Sequence, residues 1–173
     1  GDVYKRQMIA QALAAARSDL ARGLVLCDTG HRIGTAELWN GRIEAVAEGG
    51  IEVIADGVLE RWFSRAFRTK ETAALAGYRA MLTRCPAAGY AGTCAAIRDA
   101  DLTEAARGIA VPTLCLVGDE DGATPPDLVR ELAGLIPGAR FETIAGAGHL
   151  PCLERPAELA RLIADFIEEA GLG

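Results

Sequence analysis

The chain has 173 residues, 50% of them hydrophobic and 24% charged, enough for one domain with a real core and too few for two full ones. Its net charge of -6 argues against nucleic acid or an anionic membrane surface as the main partner, because either would call for a basic field. Small-molecule chemistry fits better. No apolar run approaches the roughly 18 residues that a membrane-spanning helix requires, and the first residues lack the apolar core of a secretory signal. Cys27, Cys85, Cys94, Cys115 and Cys152 are an odd set without C-x-x-C spacing. Reduced thiols in a cytoplasmic protein are therefore expected, rather than a disulfide framework or a zinc site.

In chain order, residues 1–7, "GDVYKRQ", carry no apolar pattern, and Gln7 is not a helix-capping residue. A helix is predicted over 8–20, with Ile9, Leu13, Ala16 and Leu20 along one face. Arg22-Gly23 stops it. The unbroken apolar run Leu24-Val25-Leu26-Cys27 then suits a strand buried on both faces, as in a parallel sheet. From 35 to 107 the pattern is helical throughout, in segments near 35–48, 51–62, 71–83, 86–98 and 101–107, separated by Gly49-Gly50, Arg68-Thr69 and Pro86. Strand, helix, strand and helix follow over 112–118, 126–136, 139–144 and 156–170, the last helix with proline in its first turn. Strands alternating with helices of this length imply an α/β fold with a partial parallel sheet of about three strands. The all-helical stretch between two of its strands is most simply a cap over their C-terminal ends.

In such sheets, catalytic and binding groups gather in the loops after the strands. Here those loops are Asp28-Thr29-Gly30-His31, "DEDGATPP" from Asp119, and "AGAGH" ending in His149. Acids and a histidine converge on one rim.

"GDEDGATPP" followed by "GAGHLPCLERP" resembles the last two members of a Ser-Asp-His triad in the α/β-hydrolase fold, whose chain order is nucleophile, acid, base. The stretches "MIAQALAAARSDLARGLVLCDTGHRIGTAELWN", "GVLERWF", "GYAGTCAAIRDADLTEAARGIAVPTLCLVGDEDGATPP" and "GAGHLPCLE" resemble the 3-oxoadipate enol-lactonases over residues 8–167. The resemblance implies hydrolysis of a small carboxylated enol-lactone in aromatic degradation, with neither metal nor cofactor. It also implies Asp121 as the acid and His149 as the base. Asp119, Asp127 and Asp28 compete for the acid. Asp119 suits a turn brace and Asp127 a helix first turn, while some members of this fold carry the acid one strand earlier, where Asp28 stands. A glycine-loop histidine such as His149 is otherwise structural.

Trp62 is expected to wall the substrate pocket and His31 to touch substrate, although a hinge-loop histidine serves equally. Trp39, Phe63 and Tyr90 read as packing residues, and Arg61, Arg84 and Arg98 as solvated positions within reach of a substrate carboxylate.

The nucleophile is missing. The fold presents it as G-x-S-x-G on a strand-to-helix turn, and the two serines, Ser18 and Ser64, have neither the glycines nor a preceding strand. "GTCAA" around Cys94 mimics an elbow inside a helical segment, and Cys152 reads as a small covered residue. In the family the elbow stands immediately before "MIAQ". The resemblance therefore implies a C-terminal fragment, inactive by itself, with an apolar edge at 24–27 and a tendency to be poorly soluble.

The expected organisation is a foreign tail over 1–7, similar to translated vector sequence, a partial core over 8–32 and 108–173, and the cap over 33–107. Other cofactor-free hydrolases of the fold (esterase, haloperoxidase-like, epoxide or C-C bond) and a non-catalytic α/β binding domain remain the alternatives. The oligomeric state is left open.

Overall fold

Three runs, Leu24–Cys27 (β1), Thr113–Gly118 (β2) and Arg140–Ile144 (β3), form one parallel sheet with β2 in the middle. The computed structural model describes residues 3–173. Cys27 lies opposite Leu116, and Gly118 opposite Ile144. The next residue after β1, Asp28, donates its N–H to the Leu116 carbonyl at 2.9 Å, so the sheet registers Asp28 beside the end of β2.

All six residues of β2 are buried. Its alternate side chains serve opposite faces. Cys115 and Val117 pack with Val129 and Leu132 of the helix Pro126–Leu135 (α8, below) and with Ile136 just after it, whereas Leu114 and Leu116 pack with Leu162 and Phe166 of the C-terminal helix. Two-sided burial explains why this strand reads as a continuous apolar run.

The helices are α1 (Val3–Ala16), α2 (Ala36–Gly49), α3 (Glu52–Trp62), α4 (Arg65–Lys70), α5 (Thr72–Thr83), α6 (Ala87–Arg98), α7 (Thr103–Arg107), α8 (Pro126–Leu135), α9 (Pro151–Glu154) and α10 (Pro156–Glu169). Thr35 caps α2 by accepting the Leu38 N–H, and Gly50 ends it with φ 74°, a left-handed conformation that costs glycine little. Trp39, Val46, Ile51, Val58, Leu82 and Ile97 of the stretch from α2 to α6 meet in one cluster, which also takes in Met8 of α1 and Ile33.

Two predicted elements differ. The first helix runs over Val3–Ala16 rather than 8–20, and a 3-10 turn covers Ser18–Leu20. Of the seven residues read as a tail, the first two lie outside the described residues and the rest are helical. The buried face of α1 is Met8, Gln11 and Ala14, whereas Ile9, Leu13 and Leu20 are 60%, 47% and 60% exposed. An Ala-rich helix offers two weakly apolar stripes, and packing against β1 and α7 chooses between them. The Arg68-Thr69 break is also replaced, by α4, which the Ser64 hydroxyl caps by accepting the Phe67 N–H.

Among the described residues no helix is long and apolar enough to cross a membrane, and β1 is paired on one side only.

Candidate active site

Each strand hands one group to the same rim. After β2 the chain turns so that the Asp121 N–H reaches the Gly118 carbonyl. Asp121 Oδ1 accepts the backbone N–H groups of Ala123 (2.7 Å) and Thr124 (3.0 Å), an Asx-type turn that fixes the carboxylate. Its Oδ2 accepts the Thr124 hydroxyl at 2.7 Å and meets His149 Nδ1 at 2.9 Å. Both partners are buried, Asp121 3% and His149 1% exposed.

Asp119 braces the turn instead: its Oδ1 accepts the Gly146 N–H at 2.7 Å and ties the loops after β2 and β3 together. Asp127 lies in the first turn of α8. Asp28 Oδ1 accepts the Gly118 N–H at 3.1 Å. Burial, with the charge of Asp121 next, holds the Asp28 carboxyl well above the usual carboxylate range.

The C-terminal end of α3 is stitched to both loops. The His149 N–H donates to the Trp62 carbonyl at 2.8 Å, and the Gly122 N–H donates to the Arg61 carbonyl at 3.1 Å. The Trp62 ring stacks on the His149 imidazole with centroids 6.3 Å apart. This approach requires glycine at 148, because a Cβ there would lie 2.6 Å from the Trp62 carbonyl oxygen and 2.8 Å from the Ser64 nitrogen.

Glu154 anchors the same junction. Its carboxylate accepts the N–H groups of Ser64 (3.2 Å to Oε2) and Gly148 (2.9 Å to Oε1) in a site where the residue is only 9% exposed. Glu154→Ala would strand two buried donors, so a loss of about 3 kcal/mol is expected, with Glu154→Gln losing less; urea denaturation midpoints would check both.

A cleft of about 80 Å³ lies between Trp39 and Arg42 of α2, Arg61 and Trp62 of α3, and Gly122-Ala123 after β2; neither member of the pair lines it, and it adjoins them through the Trp62 ring and Gly122. The Arg42 guanidinium lies over the Trp39 ring at 4.9 Å. His31 is not among the cleft residues; its Nε2 stands 3.7 Å from the Glu131 carboxylate on α8. Nor are Phe63, Tyr90, Arg84 and Arg98 brought there: Phe63 stacks on Phe67, Tyr90 is buried in the helical core, and Arg98 is held by Asp99 and Asn40.

No serine stands at this pair among the described residues. Ser18 begins the 3-10 turn, and Ser64 caps α4. Cys94 sits buried in the middle of α6, where burial pushes its thiol up. The Cys152 thiol is likewise pushed up, by partial burial and by Asp28. The Thr124 hydroxyl is fully buried, donates to Asp121 Oδ2 and lies 3.2 Å from His149 Nδ1.

One oxygen each of Asp28 and Asp121 and one His149 nitrogen lie within 4.8 Å of one another, donor types that suit a metal ion. Three N–H groups and a hydroxyl nevertheless bind the two carboxylates already. Sequence reasoning missed Glu154, Thr124 and Arg42. Only Glu154 left a signal, an acid closing the apolar run Leu150-Pro151-Cys152-Leu153 after His149.

Parallel strands whose terminal loops pair a buried acid with a histidine beside a cleft define an α/β hydrolase scaffold. Residues 8–162 match the Alpha/beta hydrolase family, to which the chain belongs. It is 30% identical over 145 residues to 3-oxoadipate enol-lactonase 1 of Acinetobacter baylyi, covering 84% of this chain and 54% of that protein. Among solved structures, the enol-lactonase from Burkholderia xenovorans superposes with TM-score 0.88 at 36% identity, over 94% of this chain and 62% of the other. A thermophilic esterase from Thermogutta terrifontis gives TM-score 0.84 at 28% identity, over 95% and 62%. The chain thus spans about half the length of the curated relatives it matches.

Proposed function

We propose that these residues belong to a carboxylic-ester hydrolase acting on a small carboxylated lactone, of the 3-oxoadipate enol-lactone kind. The observation that carries this reading is the buried Asp121–His149 pair at 2.9 Å beside a cleft edged by Arg42 and Arg61. With Nδ1–H donated to Asp121, His149 Nε2 acts as the base: it takes the proton of a nucleophile as that group attacks the lactone carbonyl, then returns it to the leaving enol oxygen. Asp121 fixes the tautomer and stabilises the imidazolium. Trp62 walls the pocket from the imidazole side, and α2 to α6 close over the strand ends as a cap.

On this reading the 173 residues supply acid, base and binding cleft, while the nucleophile and oxyanion donors lie in further sequence of a parent protein. By itself the chain turns over little or nothing. The substrate is a small molecule, and the site in a cytoplasmic protein needs no added cofactor.

The two arginines separate a carboxylated lactone from a plain ester. In the parent protein, Arg42→Gln and Arg61→Gln together are expected to raise KM for the carboxylated lactone about tenfold or more, the worth of a charge-assisted contact, and to leave an uncharged ester unchanged. Equal effects on both substrates would favour a simple esterase, the activity of the Thermogutta relative.

A further inference from the structure

Asp28 has no part in the reading above, yet its placement is unusual in three ways. It is the one non-glycine residue with positive φ among the described residues, at 51°. It is 1% exposed. One of its oxygens also lies within 4.8 Å of both an Asp121 oxygen and a His149 nitrogen. A buried carboxyl in a left-handed conformation costs free energy, which surrounding structure must offset.

The neighbourhood decides its charge. Asp28 Oδ1 accepts the Gly118 N–H. Against it stand Asp121 after β2, Glu154 and Cys152 on α9, Cys27 on β1 and His149 after β3. Asp121 and Glu154 are acids that oppose a further negative charge, and no lysine or arginine is among these groups. Asp121, by contrast, is the better supplied with donors: it accepts two backbone N–H groups and a hydroxyl, where Asp28 accepts one N–H. Two carboxyls this close in a dry site hold one proton between them.

We propose that Asp28 is a second positioning acid of this site: it shares a single negative charge with Asp121 against His149, and takes up that charge when Asp121 is made neutral. This rests on the Asp121–His149 reading, but its test needs no turnover. Asp28 keeps the proton in the resting pair, so its carboxyl steadies Asp121 without adding a second charge beside the imidazole. The geometry also meets the backbone requirement, because aspartate and asparagine are the non-glycine residues that tolerate positive φ best.

The test uses the chain itself. It contains two histidines, so ring-nitrogen NMR of histidine-labelled protein follows two imidazoles, and His31→Gln identifies His149. Asp28→Asn mimics the protonated acid and should leave the His149 titration midpoint in place. Asp121→Asn should also nearly preserve it, because Asp28 then ionises. The double variant removes the shared charge, and the midpoint should fall by about 1 to 3 pH units, the shift expected of an opposite charge at this range.

A fall of that size in Asp28→Asn alone would show two independent charges and overturn the proposal. So would a fall in Asp121→Asn equal to that in the double variant, since Asp28 would then carry no charge. Should Asp28→Asn not fold, Asp28→Gly accepts the same φ and carries the same two outcomes. Loss of hydrolysis in the parent protein would count against the lactonase reading and leave this titration result untouched.

Discussion

Alanine at position 149 is expected to lower kcat for lactone hydrolysis in a nucleophile-bearing parent protein by about 10⁴-fold or more, with the fold intact. The reason lies in what the imidazole alone supplies. It is 1% exposed, with Nδ1 held at 2.9 Å from a carboxylate whose other oxygen is locked by two backbone N–H groups. No neighbouring group is placed to replace it: the Asp28 carboxyl is pushed well above its usual range by burial and accepts the Gly118 N–H, and the Cys152 thiol is likewise pushed up. The check is a steady-state assay beside a near-ultraviolet circular dichroism spectrum. A residual rate within tenfold of the unaltered protein would remove His149 from the mechanism.

The second large effect concerns stability. Gly118→Ala would set a Cβ 2.2 Å from the Gly148 carbonyl oxygen and 2.3 Å from that of Ala147. Both are backbone atoms of the loop that delivers His149, so neither can swing aside as a flexible side chain would. The cost is expected to be about 3 kcal/mol, at the upper end for overpacking. Gly134→Ala is the control, since a Cβ there meets nothing within 4 Å and the position lies in α8. That change should stabilise by up to about 1 kcal/mol through helix propensity. One chemical change thus has opposite signs at two glycines. Equal denaturation midpoints for the two variants would refute the packing argument.

Much of the fold was legible because its signals are local. The run Leu24–Cys27 is the strand it was read to be, and Pro126 and Pro156 open helices as their fixed φ suggests. The α/β class followed from strand and helix alternation, and the hydrolase family from the resemblance of the acid and histidine loops to that family's triad pattern. Less was legible in α1, because nothing in an Ala-rich helix says which stripe a neighbouring strand will cover. Trp62 was singled out from its sequence context, but its stacking on His149 depends on a hydrogen bond from the His149 N–H across 87 positions of chain. Arg42 left no trace, since an arginine on a helix reads as solvated until a second helix brings another beside it.

The sequence by itself determined which groups reach the rim: parallel strands end together, and the residues after each strand are written in order along the chain. Only the tertiary structure decided how those groups meet. The turn after β2 folds onto Asp121 Oδ1 and so presents Oδ2 to His149. The sheet register sets Asp28 beside Gly118, and Glu154 binds the α3–α4 junction to the histidine loop. These are contacts between residues far apart in the chain. Hydrogen-bond geometry and close backbone approach select them, and neither has a period or a spacing that a sequence can display.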